Sequence, residues 1–190
     1  MMIQALPSID RIQVVGICGN MRRPSKTRAL VESVAQDLRC RSSLESSIFD
    51  LMDFGPELGA ASVVNDLAPK GKEILNKIAS ADALIVGSPV YKGAYAGLFK
   101  HLFDLMAPDC LKDKPVLLTA TGGGQRHALM IEHHLRPLFG FFEALSIPTV
   151  VYASEAEFSD GAVASPSVLN RIGVATNQLS SILNRSVAAA

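Results

Sequence analysis

The sequence predicts a doubly wound α/β protein: five parallel strands in the order 2-1-3-4-5, with helices on both faces. Three observations carry that expectation. Runs at residues 11–18, 83–88, 115–121 and 148–153 are apolar throughout, as parallel strands covered on both sides are. Stretches of helical periodicity separate them. The loops richest in Gly, Pro, Ser and basic residues all follow strands, and an open parallel sheet gathers such loops in one crevice at the strands' carboxyl ends.

Taken in order, residues 11–18 form the first strand. A helix from Pro24 to about Leu38 carries Leu30, Val31, Val34 and Leu38 on one face. Pro24 suits the first helical position, where its missing N–H would be unpaired anyway. Residues 44–51 alternate as the second strand, and a loop rich in Gly, Pro and Asp follows. A helix over about 69–79 has Ile74, Leu75 and Ile78 as its stripe, and strand 83–88 leads to a helix at 93–107 with Leu98, Leu102 and Leu105. Strand 115–121 precedes a long helix at about 126–145. Pro137 conflicts with that helix, because an interior proline loses a hydrogen bond and clashes with the preceding turn. Either a π-bulge near His133–His134 or two helices meeting at Arg136 would resolve the conflict. Leu138, Phe139, Phe141, Phe142 and Leu145 cover more than one face, so part of the cluster is expected to bury against another subunit, with a purely internal core as the alternative. Strand 148–153 and a closing helix at about 166–184 complete the pattern.

Residues 1–190 read as one domain with an ordered core at about 11–184. A chain of this length buries about 70% of its unfolded surface. Basic and acidic side chains number 18 each, so nothing favours nucleic acid or an anionic membrane as a partner. Cys18, Cys40 and Cys110 form neither a disulfide framework nor a metal clip, and a reducing cytoplasm is the expected setting. Asp10 and Arg11 end a short apolar start, so no signal peptide is expected. No run reaches the roughly 20 apolar residues of a membrane span.

The chemistry lies in three loops. After the first strand come Gly19, Asn20, Met21, Arg22, Arg23, Pro24, Ser25, Lys26 and Thr27. Ser25 and Thr27 offer hydroxyls beside the unpaired amides of a helix start, which attract an anion. Arg22 or Arg23 can add a bidentate contact. The loop is no Walker A, since Ser25 rather than Gly precedes Lys26, and Gly16 and Gly19 have the wrong spacing for a dinucleotide fingerprint. Taken alone, the pattern is equally satisfied by Ser25 capping a helix beside solvated arginines. The second loop is Pro89, Val90, Tyr91, Lys92 and Gly93, and the third is Thr121, Gly122, Gly123 and Gly124. Backbone groups there can serve the polar edge of a flat ring while Tyr91 supplies an apolar wall. Singly, each loop reads as an ordinary turn. Together they describe a site for a phosphate joined to a planar heterocycle, as in FMN. No metal is expected: His127, His133 and His134 lack zinc-helix spacing, and Glu132 completes no H-E-x-x-H pattern.

From about Ile12 to Leu183 the chain resembles the NAD(P)H-dependent FMN reductases of flavodoxin-like fold, and most of all the branch serving alkanesulfonate and methanesulfonate monooxygenases. The matching segments are Arg22-x-Pro24-Ser25-x-Thr27, residues 88–93, Gly97-Leu98-x-Lys100-His101-Leu102-x-Asp104-Leu105 and residues 120–123. Residues 126–129, 135–139 and 151–156 continue the match. The resemblance implies phosphate ligands at Arg22, Ser25 and Thr27 and ring contacts at residues 89–93 and 121–124. It implies hydride transfer from NADH or NADPH to FMN, with no catalytic side chain, and reduced flavin passing to an FMNH2-dependent monooxygenase. It further implies a homodimer or homotetramer. His133 stands where the alkanesulfonate branch inserts a tyrosine that makes a π-helix, and so becomes a candidate modulator of flavin exchange. Two alternatives share the fold: a quinone, azo or metal-ion reductase with tightly held FMN, and a flavodoxin-like electron carrier, against which the shortage of acidic residues counts.

Overall fold

The computed structural model describes residues 11–189. The N-terminal segment expected to hold no signal peptide falls mostly outside that range.

The chain runs β1 (Ile12–Cys18), α1 (Lys26–Arg39), β2 (Leu44–Asp50), α2 (Pro69–Ser80), β3 (Ala83–Pro89), α3 (Gly97–Asp104), β4 (Pro115–Gly122), α4 (Arg136–Phe141), β5 (Leu145–Ser146), β6 (Val151–Ser154), β7 (Phe158–Ser159), β8 (Ala162–Val163) and α5 (Pro166–Ala189). The main sheet has the order β2-β1-β3-β4-β5, with β6 also on β4, and every pairing in it is parallel. This is the expected flavodoxin-like α/β order. Side-chain alternation then divides the core. Val15, Ile17, Leu84, Val86, Leu118 and Ala120 face α2, α3 and α4, meeting Ile74, Ile78, Phe99, Phe103 and Phe139. Val14, Cys18, Ile85 and Leu117 face the other way, meeting Leu30, Val31, Val34 and Leu38 of α1 and Ile172, Ala175 and Leu179 of α5. Each fully buried Leu, Ile, Val or Phe contributes roughly 1.5–3 kcal/mol.

The approach of α1 to the sheet depends on a missing side chain. A Cβ at Gly87 would lie 2.5 Å from Val31 Cγ2 and 2.9 Å from Thr119 Oγ1. Val31 therefore sits directly over β3, and α1 brings its N-terminus close to the ends of β1, β3 and β4.

Besides the closing helix, which runs to Ala189 and not to about residue 184, four boundaries differ from expectation. Helix α1 starts at Lys26, because Ser25 takes the cap: its backbone is extended and its side chain accepts from the Arg28 amide. Pro24 thus precedes the cap instead of filling the first helical position, and the Arg23–Pro24 peptide is cis. Helix α3 is shorter than 93–107, since residues 91–94 close a tight turn. The long helix at 126–145 is broken into a 3-10 turn (Gln125–His127), a π-helical turn (Ile131–Leu135) and α4. The π turn falls at His133–His134, and Pro137 sits in the first turn of α4, where proline is tolerated. The fifth strand is split into β5 and β6, which pair with opposite ends of β4. Pro148 lies in the gap and has no N–H for the ladder.

The phenylalanine cluster also divides. Phe139 and Phe142 are buried internally, whereas Phe141 and Leu145 are 68% and 48% exposed. Among the described residues no helix is long and apolar enough to cross a membrane.

Candidate flavin-binding cleft

The loop after β1 is shaped by a buried carboxylate at the end of β2. Asp50 is fully buried and accepts from Arg23 Nε at 2.7 Å, Arg23 Nη2 at 2.8 Å, Asn20 Nδ2 at 3.1 Å and Arg28 Nη1 at 3.2 Å. Arg23 also reaches Asp53 at 2.7 Å. Burial alone would raise the Asp50 pKa, but the hydrogen bonds from Arg23 and Asn20 outweigh it and hold the carboxyl below its ordinary value. The same bonds raise the Arg23 pKa. Of the two candidate arginines, Arg23 is therefore spent on structure. Among the described residues Arg22 forms no ion pair; its carbonyl accepts from Asn20 Nδ2 at 3.1 Å, which turns the backbone back on itself.

At the start of α1, helix geometry leaves the Lys26 and Thr27 amides without intrahelical acceptors. The Ser25 hydroxyl oxygen accepts from Arg28 N, so its own O–H remains available. Thr27 is buried, and its hydroxyl pairs with that of Thr121 at 2.6 Å, tying α1 to the end of β4. The Thr27 side chain thus serves the floor of the site, and its amide is the group left to face a ligand.

The second loop is fixed by Ser88. This buried hydroxyl donates to Pro89 O at 3.0 Å and accepts from Ala96 N at 3.2 Å, closing the segment between β3 and α3. Val90 N donates to Thr121 O at 2.7 Å, joining the second loop to the third. Tyr91 and Ala94 exchange backbone bonds across a turn in which Lys92 and Gly93 have φ of 52° and 86°. In the third loop, Tyr152 Oη donates to Gly124 O at 2.6 Å, and the ring crosses Gly122 so closely that any Cβ there would strike the hydroxyl.

These loops enclose a cleft of about 390 Å³. Asn20, Arg22, Pro24, Ser25, Lys26 and Thr27 line one end, and Pro89, Val90, Tyr91, Thr121, Gly122 and Gly123 the other; Glu155 and Phe158 close a side. Nine of the twelve residues expected from sequence meet there. Lys92 and Gly93 form the tip of their turn and Gly124 lies beyond the wall, so none of these three lines the cleft. His133 is exposed in the π turn and is also outside the lining. Sequence reasoning overlooked Glu155 and Phe158, although both follow the fifth strand at the same sheet edge. It overlooked the roles of Asp50 and Tyr152 as well. Lys26 links the loops electrostatically, with Nζ 3.4 Å from Glu155 and 5.9 Å from the centre of the Phe158 ring.

A doubly wound sheet with an anion-attracting helix start and a mixed polar and apolar slot at its switch point defines an α/β nucleotide-binding protein of flavodoxin-like type. Comparison with known proteins narrows the class. Residues 12–158 match the model of the NADPH-dependent FMN reductase family, and the chain belongs to that family. It is 43% identical over 166 residues to an FMN reductase (NADPH) of Pseudomonas aeruginosa, covering 87% of this chain and 89% of the relative. It is 44% identical over 167 residues to the NADH-dependent FMN reductase SfnF of Pseudomonas fluorescens, covering 88% and 89%. Among solved structures it is similar to the apo form of the NADH:FMN oxidoreductase EMOB, with TM-score 0.80 and 27% identity, covering 89% of this chain and 88% of that one. The chain is an NAD(P)H-dependent FMN reductase.

Proposed function

We propose that the 390 Å³ cleft is the flavin site and that FMN enters and leaves it as a substrate. The observation that carries this reading is the donor set at the start of α1. The amides of Lys26 and Thr27, the Ser25 hydroxyl and the unpaired Arg22 guanidinium surround one end of the slot, where Glu155, the one carboxylate of the lining, is paired with the Lys26 ammonium at 3.4 Å. A phosphate dianion satisfies that end, and a planar ring fits between Tyr91 and residues 121–123. The Tyr91 side chain is 43% exposed, and Arg22, Pro24 and Lys26 are exposed too, so the lining opens to solvent as exchange requires.

When bound, FMN accepts a hydride from NADH or NADPH, chemistry that belongs to the two cofactors. The chain contributes position and polarity. Tyr91 and Pro89 wall the ring, the residue 121–123 backbone faces its polar edge, and Arg22 with the α1 amides anchors the phosphate. No side chain needs to hold a proton. Reduced FMN then passes to an FMNH2-dependent monooxygenase of the sulfonate type or a relative of it. Names of similar proteins specify NADPH in one case and NADH in another, which supports assigning both as donors. The exposed Leu129, Phe141 and Leu145 support a homo-oligomer, a dimer or tetramer. Three free cysteines support a reducing cytoplasm.

The test is NADH and NADPH oxidation by flavin-stripped protein with FMN varied. Rates that saturate in FMN, with reduced flavin released to cytochrome c, are expected. Full turnover at stoichiometric FMN, with a requirement for a quinone or azo dye, would overturn the substrate reading.

A further inference from the structure

Two carboxylates lie in the turn that follows β6, and they have different occupations. Glu157 is spent on structure: its Oε2 accepts from the Ser154 amide at 2.5 Å and from Gln125 Nε2 at 3.1 Å, which ties the turn to the third loop. Glu155 takes no part in that anchoring. It is exposed, and among the described residues it is the one carboxylate that lines the flavin cleft. Its partner is Lys26 in the first turn of α1, whose ammonium lies 3.4 Å from Glu155 Oε1 and 5.9 Å from the centre of the Phe158 ring. A carboxylate on an anchored turn thus meets a point charge carried on a flexible stem.

We propose that Glu155 limits the affinity for FMN: it competes with the flavin phosphate for the Lys26 ammonium and so keeps the flavin exchangeable. The inference rests on the reading of the cleft as the flavin site. Lys26 and Thr27 supply the amides that face the phosphate, so the Lys26 side chain leaves the backbone where the anion is held. With phosphate in place the ammonium has two rival acceptors, a dianion and a monoanion. An exposed Lys–Glu pair is weak, so it opens at little cost. Glu155 is then left without its cation beside a group of the same sign, on a turn that Glu157 keeps from swinging away. The site therefore combines the attraction of Arg22, Lys26 and the α1 amides with one repulsion, and that repulsion falls on the phosphate. A flavin that must leave after each turnover needs such a limit, whereas a permanently held one would be bound better by a neutral side chain at this position.

The experiment is equilibrium binding of FMN and of riboflavin to flavin-stripped protein, followed by fluorescence quenching, for the wild type, Glu155→Gln and Lys26→Gln. Both side chains are exposed, so both variants fold. Glu155→Gln is expected to bind FMN roughly three- to tenfold more tightly than the wild type, the scale of charge interactions near solvent. Riboflavin, which carries no phosphate, should bind both proteins equally. The gain for FMN should fade at ~1 M salt, where screening acts within roughly 3 Å. Lys26→Gln should weaken FMN and leave riboflavin unchanged. A rearranged loop has a different signature, since it shifts both ligands together and does not respond to salt. Unchanged or weaker FMN binding by Glu155→Gln, or an equal shift for riboflavin, would overturn the inference and leave the flavin site in place. A wild type that binds FMN no better than riboflavin would instead sink the phosphate reading on which the inference rests.

Discussion

Arg23 grips Asp50 with two nitrogens, Nε at 2.7 Å and Nη2 at 2.8 Å, one on each carboxylate oxygen. This bond joins the loop ahead of α1 to the end of β2, and it separates two adjacent arginines into different jobs. Arg23 holds the loop, which leaves the Arg22 guanidinium free to meet an anion.

Substitution should expose that division. Arg22→Ala is expected to weaken FMN binding by roughly 1–3 kcal/mol, the range for charge-assisted hydrogen bonds, with an unchanged melting temperature. Arg23→Ala should lower the melting temperature and lose FMN affinity with it. Isothermal titration and thermal melts on both variants check the pair; a stability loss at Arg22 would reverse the assignment.

Acid should act through Asp50. Its folded carboxyl titrates below the ordinary value of 3.8, so its stabilising contribution is complete above that value and is lost as pH falls through the folded one. Asp50→Asn is expected to cost roughly 2 kcal/mol at pH 7. Below about pH 4 the gap between wild type and variant should shrink. Denaturant melts at several pH values read this directly, and a gap that widens in acid would contradict the network.

The Thr27–Thr121 bond predicts a cost for removing one hydroxyl. Thr121→Val leaves the buried Thr27 hydroxyl without its 2.6 Å partner and should destabilise by about 1–3 kcal/mol. Equal stability would mean that the hydroxyl finds another partner.

Gly122 and Tyr152 should couple. Gly122→Ala drives a methyl group into the Tyr152 hydroxyl, displacing the third loop and weakening flavin binding. Adding Tyr152→Phe removes the clashing oxygen, so the double variant should bind FMN better than Gly122→Ala alone. Additive losses would rule out the contact as the cause.

How far these relationships can be read from the sequence depends on their range. The strands, the three loops and the conflict at Pro137 are legible because periodicity, strand-end position and a missing N–H are local properties. Splitting of the last strand at Pro148 has the same local cause, yet the apolar run around it hides the break. The β7–β8 hairpin had a signal too: Asp160-Gly161, with φ of 49° and 81°, is a strong two-residue turn pair. Asp50 and Tyr152 carried none. Each works by reaching a loop 27 or 28 residues away in sequence, which only the folded sheet reveals.

The account rests on a phosphate anchored at the start of α1, and comparing FMN with riboflavin as ligands of the flavin-stripped protein tests it most directly. Loss of two or more charge-assisted hydrogen bonds should weaken riboflavin by roughly a hundredfold or more relative to FMN. Affinities within about threefold of each other, less than 1 kcal/mol apart, would show that the α1 donors do not hold the ligand.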